Sequence, residues 1–182
     1  GIAGLGQHSN NKYNGHIYNS TNGGTITVER GTIFSAAVVG GIVGDHRGGE
    51  DAKGYLQECV NNGAINFGGD AADATSISIM MGGIAGYTQG FLKNVTNNGD
   101  LTISGNLNVS TAASADFAKG TNIYFAGITG YKTVSNVNGV ANHGDVTLSS
   151  NITSLRTDGQ LSQVNVAGIF GYSSKQAYGG DI

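Results

Sequence analysis

One four-residue motif, Gly-Ile-x-Gly, occurs five times and constrains the fold more than any other feature of this sequence. Its first glycines are Gly1, Gly41, Gly83, Gly127 and Gly168, spaced 40, 42, 44 and 41 residues apart. A period of this length is typical of architectures in which one supersecondary unit is copied and the copies stack on one another. The sequence therefore predicts about four and a half copies of a single unit.

A second motif lies between the copies of the first and has an asparagine two residues before a glycine. The asparagines are Asn22, Asn61, Asn97 and Asn142, and the anchor glycines that follow them are Gly24, Gly63, Gly99 and Gly144. If the copies stack in register, equivalent asparagines come to lie above one another. We therefore expect these four residues to form a structural ladder that also bonds the backbone at a corner.

Apolar residues recur at three places in each copy, and at two of these places they stand at every second position. In the middle copies they are Leu56 and Cys59 before the anchor, Ile65 and Phe67 after it, and Ile79 and Met81 before the next Gly-Ile. A two-residue period is that of a strand with one buried face, and no helical period is found. Each copy is thus predicted to supply three short strands, and the absence of proline fits continuous strand ladders.

These features predict an all-β fold, a parallel β-solenoid of about 4.5 coils with a repeat of roughly 41 residues. The crossover rule for parallel strands favours a right-handed coil. A β-propeller, whose blades would need a fourth strand per copy, and a β-sandwich are the alternatives. We expect one repeat domain over 1–182 and an inserted loop around 106–119. We also expect this domain to be part of a longer chain, with flanking repeats or end-to-end pairing covering its open ends.

Composition and charge narrow the partners. Nine basic and twelve acidic residues give a net charge of -3 with no block of either sign, which argues against a nucleic-acid partner. The most apolar stretch, 34–44, is too short for direct membrane insertion. The lone Cys59 is expected to be a small buried hydrophobe. The histidines have no zinc spacing, and Asp70 and Asp73 lack the repeated spacing of calcium-binding loops, so neither a metal nor a cofactor is expected.

Carboxylates collect at one place, where Asp45, Glu50 and Asp51 stand close to His46 and Arg47. Glycoside hydrolysis uses two carboxyl groups that flank the sugar bond. The alternative function is therefore a carbohydrate-active β-helix enzyme, either a polysaccharide lyase or a glycoside hydrolase. A solvated loop in which polar residues gather is the interpretation we favour, so no catalytic residue is assigned.

A tyrosine column is the candidate binding feature. Tyr87, Tyr131 and Tyr172 occupy the position after Gly-Ile-x-Gly, while Leu5 and Asp45 fill it in the first two copies. In stacked coils these three rings would form a stripe. Such a stripe either stabilises neighbouring coils or holds a sugar chain through its ring faces and hydroxyls.

The segment Gly82 to Tyr87, Gly-Gly-Ile-Ala-Gly-Tyr, followed by Asn94 to Leu101, Asn-Val-Thr-Asn-Asn-Gly-Asp-Leu, resembles the GLUG-motif repeats of bacterial surface proteins. The resemblance covers nearly the whole chain. It implies secretion, exposure at a bacterial cell surface, and a role as a stalk, display scaffold or adhesin-like module.

Together these observations favour a non-enzymatic, surface-exposed structural or adhesion module. Its rigid repeats would present loops for contact with a glycan or with a host or bacterial surface protein. The ligand-binding residues would be Tyr87, Tyr131 and Tyr172.

Overall fold

The computed structural model describes residues 3–6, 15–29, 36–47, 54–68, 71–74, 77–109, 121–133, 136–151 and 163–174. All regular structure in these ranges is β-strand. The first two repeats contain β1 (Ala3–Gly6), β2 (Ile17–Tyr18), β3 (Thr21–Asn22), β4 (Ile26–Glu29), β5 (Ala36–Gly40), β6 (Val43–His46), β7 (Tyr55–Gln57), β8 (Val60–Asn61), β9 (Ile65–Gly68) and β10 (Ala71–Ala74). The later repeats contain β11 (Ile77–Gly82), β12 (Ala85–Thr88), β13 (Phe91–Asn97), β14 (Leu101–Val109), β15 (Thr121–Ala126), β16 (Thr129–Lys132), β17 (Val137–Asn142), β18 (Val146–Asn151), β19 (Gln163–Ala167) and β20 (Phe170–Ser173).

The strands form four parallel sheets, and each sheet takes strands from successive repeats. The approach sheet contains β5, β11, β15 and β19, and the tyrosine sheet contains β1, β6, β12, β16 and β20. The asparagine sheet contains β2, β3, β7, β8, β13 and β17, and the anchor sheet contains β4, β9, β10, β14 and β18. The prediction of an all-β fold with parallel strands is confirmed, and the arrangement is compatible with a β-solenoid.

Each repeat supplies four strand positions, so the prediction of three was wrong. The missing strand follows the Gly-Ile motif and builds the tyrosine sheet. Its sequence is Val-Gly-Asp-His in β6 and Ala-Gly-Tyr-Thr in β12. The glycine removes one side chain, and the other positions change character between repeats, so no alternation of apolar and polar residues is visible. Because strands pair in parallel between repeats, the fourth strand does not favour the propeller.

Two apolar clusters form the core. One joins the approach and anchor sheets and consists of Ile65, Phe67, Ile79, Met81, Leu101, Ile103, Leu107, Ile123 and Phe125. The other joins the tyrosine and asparagine sheets and consists of Ile42, Val43, Leu56, Cys59, Ile84, Ala85, Leu92, Val95 and Ile128. All are at most 1% exposed. The buried, unpaired Cys59 confirms its predicted role as a small hydrophobe.

The alternation predicts a buried apolar face for every repeat, but the last repeat departs from it. Val164 and Val166 pair in register with Ile123 and Phe125, which are fully buried. They are nevertheless 39% and 43% exposed. They differ because β19 is the edge strand of the approach sheet, so that no further described strand lies on its outer side.

The expected loop at 106–119 does not begin at 106, because those first residues belong to a strand. Strand β14 continues to Val109, and Leu107 is fully buried and pairs with Ala71 of β10. Repeat two therefore contributes an additional short strand that extends the pairing of β14. The remainder of the expected insertion, 110–119, lies outside the described residues.

A left-handed corner recurs in all four repeats, three residues before the ladder asparagine. Its occupants are Asn19, Glu58, Asn94 and Gly139, with φ of 47°, 56°, 52° and 63°. The anchor glycines have ordinary φ; a Cβ on Gly63 would instead meet the carbonyl of Gly24. Positive φ and close approach therefore fall at different positions of the repeat. The part of the chain that the structure describes contains no helix capable of spanning a membrane.

Candidate functional site

The three tyrosines lie in one column of the tyrosine sheet. Tyr87 pairs with Tyr131, and Tyr131 with Tyr172, in direct register. The ring centroids of Tyr87 and Tyr131 are 5.5 Å apart at 25°, and those of Tyr131 and Tyr172 are 4.7 Å apart at 28°. The rings therefore stack on one another along the direction in which the repeats succeed each other. Their faces are turned mainly toward neighbouring tyrosines rather than toward solvent.

An ion pair closes the column at the Tyr87 end. The guanidinium carbon of Arg47 lies 5.2 Å from the centroid of the Tyr87 ring. The same guanidinium is held by Asp45, with Nη2 2.8 Å from Oδ2 and Nε 3.0 Å from both carboxylate oxygens. The carboxylate raises the pKa of Arg47 through this hydrogen bonding. The column is thus a closed stack with a cation at one end, and Tyr172, 36% exposed, is its most accessible ring.

Tyr124, from the neighbouring approach sheet, completes an aromatic corner. Its ring stands edge-on to Tyr131, with centroids 5.1 Å apart at 85°, and is tilted against Tyr172 at 5.4 Å. The hydroxyl of Tyr124 donates to Oε1 of Gln163 at 2.9 Å. Burial, followed by Tyr131 and Tyr172, raises the pKa of Tyr124. The phenol therefore stays protonated and remains a donor across the neutral range.

An open groove runs between the approach and tyrosine sheets at this corner, with a volume of about 510 Å³. The approach sheet contributes Ser78, Met80, Asn122 and Tyr124, and the other wall contains Tyr87, Tyr131, Thr133 and Ser174. None of these eight residues is charged. The groove thus offers hydroxyls, one amide, aromatic edges and a thioether to a ligand.

The four asparagines form a continuous hydrogen-bonded ladder. The Nδ2 of Asn22, Asn61 and Asn97 donates to Oδ1 of the next asparagine at 2.8, 2.7 and 2.7 Å. Each Nδ2 also donates to the carbonyl of the anchor glycine two residues on, at 2.7 to 2.9 Å. Both amide hydrogens are thereby used in Asn22, Asn61 and Asn97, so these amide groups support the coil rather than contact a ligand.

A second column is polar, follows the tyrosine position and is buried at His46, Thr88 and Lys132. Its register is His46, Thr88, Lys132 and Ser173. His46 is fully buried; its Nε2 donates to the carbonyl of Gly15 at 2.6 Å, and Nδ1 accepts from the Thr88 hydroxyl at 3.1 Å. Burial lowers the pKa of His46, and it also lowers the pKa of Lys132, which is 3% exposed with Nζ 5.5 Å from the Phe170 ring.

The structure describes Asp45 alone of the three clustered carboxylates considered in the sequence. Asp45 and His46 belong to strand β6 rather than to a loop, with Asp45 in the tyrosine column and His46 in the buried polar column. Glu50, Asp51 and Asp70 lie outside the described residues, as does the side chain of Asp73. Among the described side chains, no three His, Cys, Asp or Glu residues are placed to hold a metal ion.

Sequence reasoning missed two features. The first consists of Met80, Asn122 and Tyr124, which line the groove. They alternate along their strands with the apolar residues predicted to be buried, and no role was predicted for them. An outer aromatic stripe also joins His16, Tyr55 and Phe91, with centroid distances of 5.5 and 5.0 Å. Aligning the repeats on their anchor glycines would have revealed the stripe, because all three of its residues stand eight positions before an anchor glycine.

Comparisons with known proteins were negative: no known protein family, no curated protein and no solved structure matches this chain.

Proposed function

We propose that this chain is a β-solenoid segment that acts as a non-enzymatic structural and adhesion module and contacts a glycan or a surface protein. The observation that carries the proposal is the in-register tyrosine column beside an open groove, which places Tyr87, Tyr131 and Tyr172 along one side of the stacked repeats. Buried asparagine bonds and apolar layers stiffen the scaffold behind that side. A rigid scaffold with a preformed groove loses little conformational entropy when it binds.

The solenoid itself is part of this proposal. In each of the four sheets, strands about 40 residues apart in sequence pair in parallel. The two apolar clusters of the core lie between different sheets. In a continuous coil each repeat adds one strand to each sheet, and most of the strands observed follow this pattern. The exposed Val164 and Val166 lie on β19, the edge strand of the approach sheet among the described residues.

The surface location is proposed from the GLUG-like motif, which implies a secreted bacterial protein. A non-enzymatic role is supported by the state of Asp45, whose carboxylate oxygens are both bonded to Arg47. Because both carboxylate oxygens are engaged by the guanidinium, neither is free to contact a substrate proton.

Retention of the purified chain on arrays of glycans and surface proteins tests the proposal. We expect saturable retention without release of cleavage products. A Tyr124→Ala, Tyr172→Ala double variant should lose retention, while Tyr18→Ala should keep it, because Tyr18 is 48% exposed and outside the groove. Circular dichroism checks that each variant remains folded. Product release or retention that is unchanged in the double variant would contradict the proposal.

A further inference from the structure

We infer that the groove between the approach and tyrosine sheets binds a neutral glycan, lying along the direction in which the repeats stack. This inference rests on the proposed function and specifies its ligand. It assigns binding roles to Asn122 and Tyr124 in addition to the tyrosine column. Four features support it, namely the chemistry of the walls, the orientation of the rings, the amide groups on the outer face of the approach sheet and the repetition of equivalent positions.

The walls are polar but uncharged. Ser78, Asn122 and Ser174 provide hydroxyl and amide groups, and Met80 provides an apolar contact. Arg47, the charge at the Tyr87 end of the column, is already paired with Asp45. An acidic sugar would meet no unpaired cation in this lining, and burying its charge unpaired would be unfavourable. A neutral sugar chain, with hydroxyls around an apolar ring, matches what these walls offer.

The ring orientation decides how such a chain would be held. Tyr131 is covered by Tyr87 on one side and by Tyr172 on the other, so its ring face is not available to a sugar ring. The column instead presents ring edges and hydroxyls to the groove. Tyr124 is perpendicular to Tyr131 and so presents a different surface. Tyr124 and the tyrosine column therefore form two walls of a corner rather than a flat stacking platform.

The outer face of the approach sheet becomes richer in amides toward the last repeats. Ala36, Ser78, Asn122 and Gln163 share one row, and Val38, Met80, Tyr124 and Asn165 share the other. The two rows change from apolar to amide or phenol side chains along the stack. Amide groups can donate to and accept from sugar hydroxyls at the same time. The glycan is thus expected to lie beside repeats three to five.

Repetition favours a polymer over a globular partner. Equivalent positions recur at each strand spacing, about 4.8 Å in a sheet. A ligand with its own short repeat can make the same contact at successive strands, as a sugar chain does. A peptide that adds to a sheet would need an unpaired strand edge, and the inner strands β12, β11 and β15, which provide five of the eight lining residues, are paired on both sides.

Calorimetric titration of the purified chain with neutral tri- to hexasaccharides of several linkages tests the inference, alongside oligogalacturonate and heparin fragments. We expect a neutral oligosaccharide to bind with a Kd that does not change between low and high sodium chloride. Asn122→Ala and Tyr124→Phe should each weaken binding by about tenfold through lost hydrogen bonds. The matched control Asn138→Ala changes an exposed asparagine outside the groove and should leave Kd unchanged.

Four results would overturn the inference. Salt-sensitive binding of acidic fragments alone would show that charge dominates recognition, and binding of a protein alone would identify a different partner; in both cases the proposed adhesion function would survive. Neutral binding that is unaffected by Asn122→Ala and Tyr124→Phe would place the site elsewhere on the scaffold. Failure to bind any glycan or protein would contradict both the inference and the proposed function.

Discussion

The Nδ2 of Asn97 donates to Oδ1 of Asn142 at 2.7 Å, across 45 residues of sequence. The same side chain accepts from Asn61 and donates to the carbonyl of Gly99, so it takes part in three hydrogen bonds while fully buried. The bond to Gly99 lies within one repeat, and the other two bonds join Asn97 to the repeats on either side. The ladder therefore links successive repeats, and its middle members Asn61 and Asn97 are fully buried.

Substitution of Asn97 should be far more costly than substitution of its neighbour. Asn97→Ala removes a hydrogen-bond partner from the buried Asn61 and Gly99 and from the half-buried Asn142, which should lower the free energy of unfolding by about 3 kcal/mol. Asn98→Ala removes only an exposed bond to Asn62 and should change it by less than about 0.5 kcal/mol. Urea denaturation followed by circular dichroism provides both values. Equal effects would show that the ladder is not a stabilising feature.

The glycine that begins each Gly-Ile motif allows a second test, because its column contains its own control. A Cβ on Gly83 would collide with the carbonyl of Gly127 and the side-chain amide of Asn97, whereas a Cβ on Gly168 would meet nothing within 4 Å. Gly83→Ala should lower the free energy of unfolding by about 3 kcal/mol through overpacking. Gly168→Ala should leave it unchanged or slightly higher, since alanine restricts the unfolded chain.

Thermal unfolding of the two glycine variants measures this contrast. Both changes add the same methyl group at the same place in the motif, so backbone propensity cancels in the comparison. A large loss for Gly168→Ala would indicate that the last repeat is packed as tightly as the inner ones, contrary to the exposure of Val164 and Val166.

The repeat made much of this fold predictable from the sequence. Residues with the same role recur about every 41 positions, so the register of Asn61 with Asn97 and of Tyr87 with Tyr131 could be read as columns of aligned repeats. The strand after Gly-Ile was missed because alternation is a local signal, and a glycine interrupts it there. The site was only half visible, since Tyr124 meets Tyr131 across two sheets and no sequence period connects the two.

The left-handed corner residue Glu58 provides a route to a more stable chain. Glu58 has a φ of 56°, a conformation that disfavours side chains with a Cβ, while the same corner holds asparagine or glycine in the other three repeats. Glu58→Asn should raise the free energy of unfolding by up to about 1 kcal/mol, because asparagine tolerates this region better. The control Gln57→Asn makes the same type of change next to the corner and should bring no gain. A loss of stability in Glu58→Asn would contradict the assignment.

The buried His46 should make the fold sensitive to acid. Burial is the main cause that lowers its pKa from the ordinary value of 6.5, with a smaller contribution from His16 in the same direction and opposing ones from the Gly15 carbonyl and Asp45. The unfolded chain then binds a proton more readily than the folded chain. The stabilisation is therefore fully present above pH 6.5 and is lost as the pH falls below that value.

Urea denaturation at pH of about 8 and about 5 measures the effect of this titration. The free energy of unfolding should be lower at the acidic pH in the unaltered chain. His46→Asn should reduce that difference while lowering stability at both pH values, because it also loses the bonds to Gly15 and Thr88. His143→Gln, at an exposed site, should leave the difference in place. If His46→Asn shows the same difference in stability between the two pH values as the unaltered chain, then groups other than the buried His46 cause the acid sensitivity.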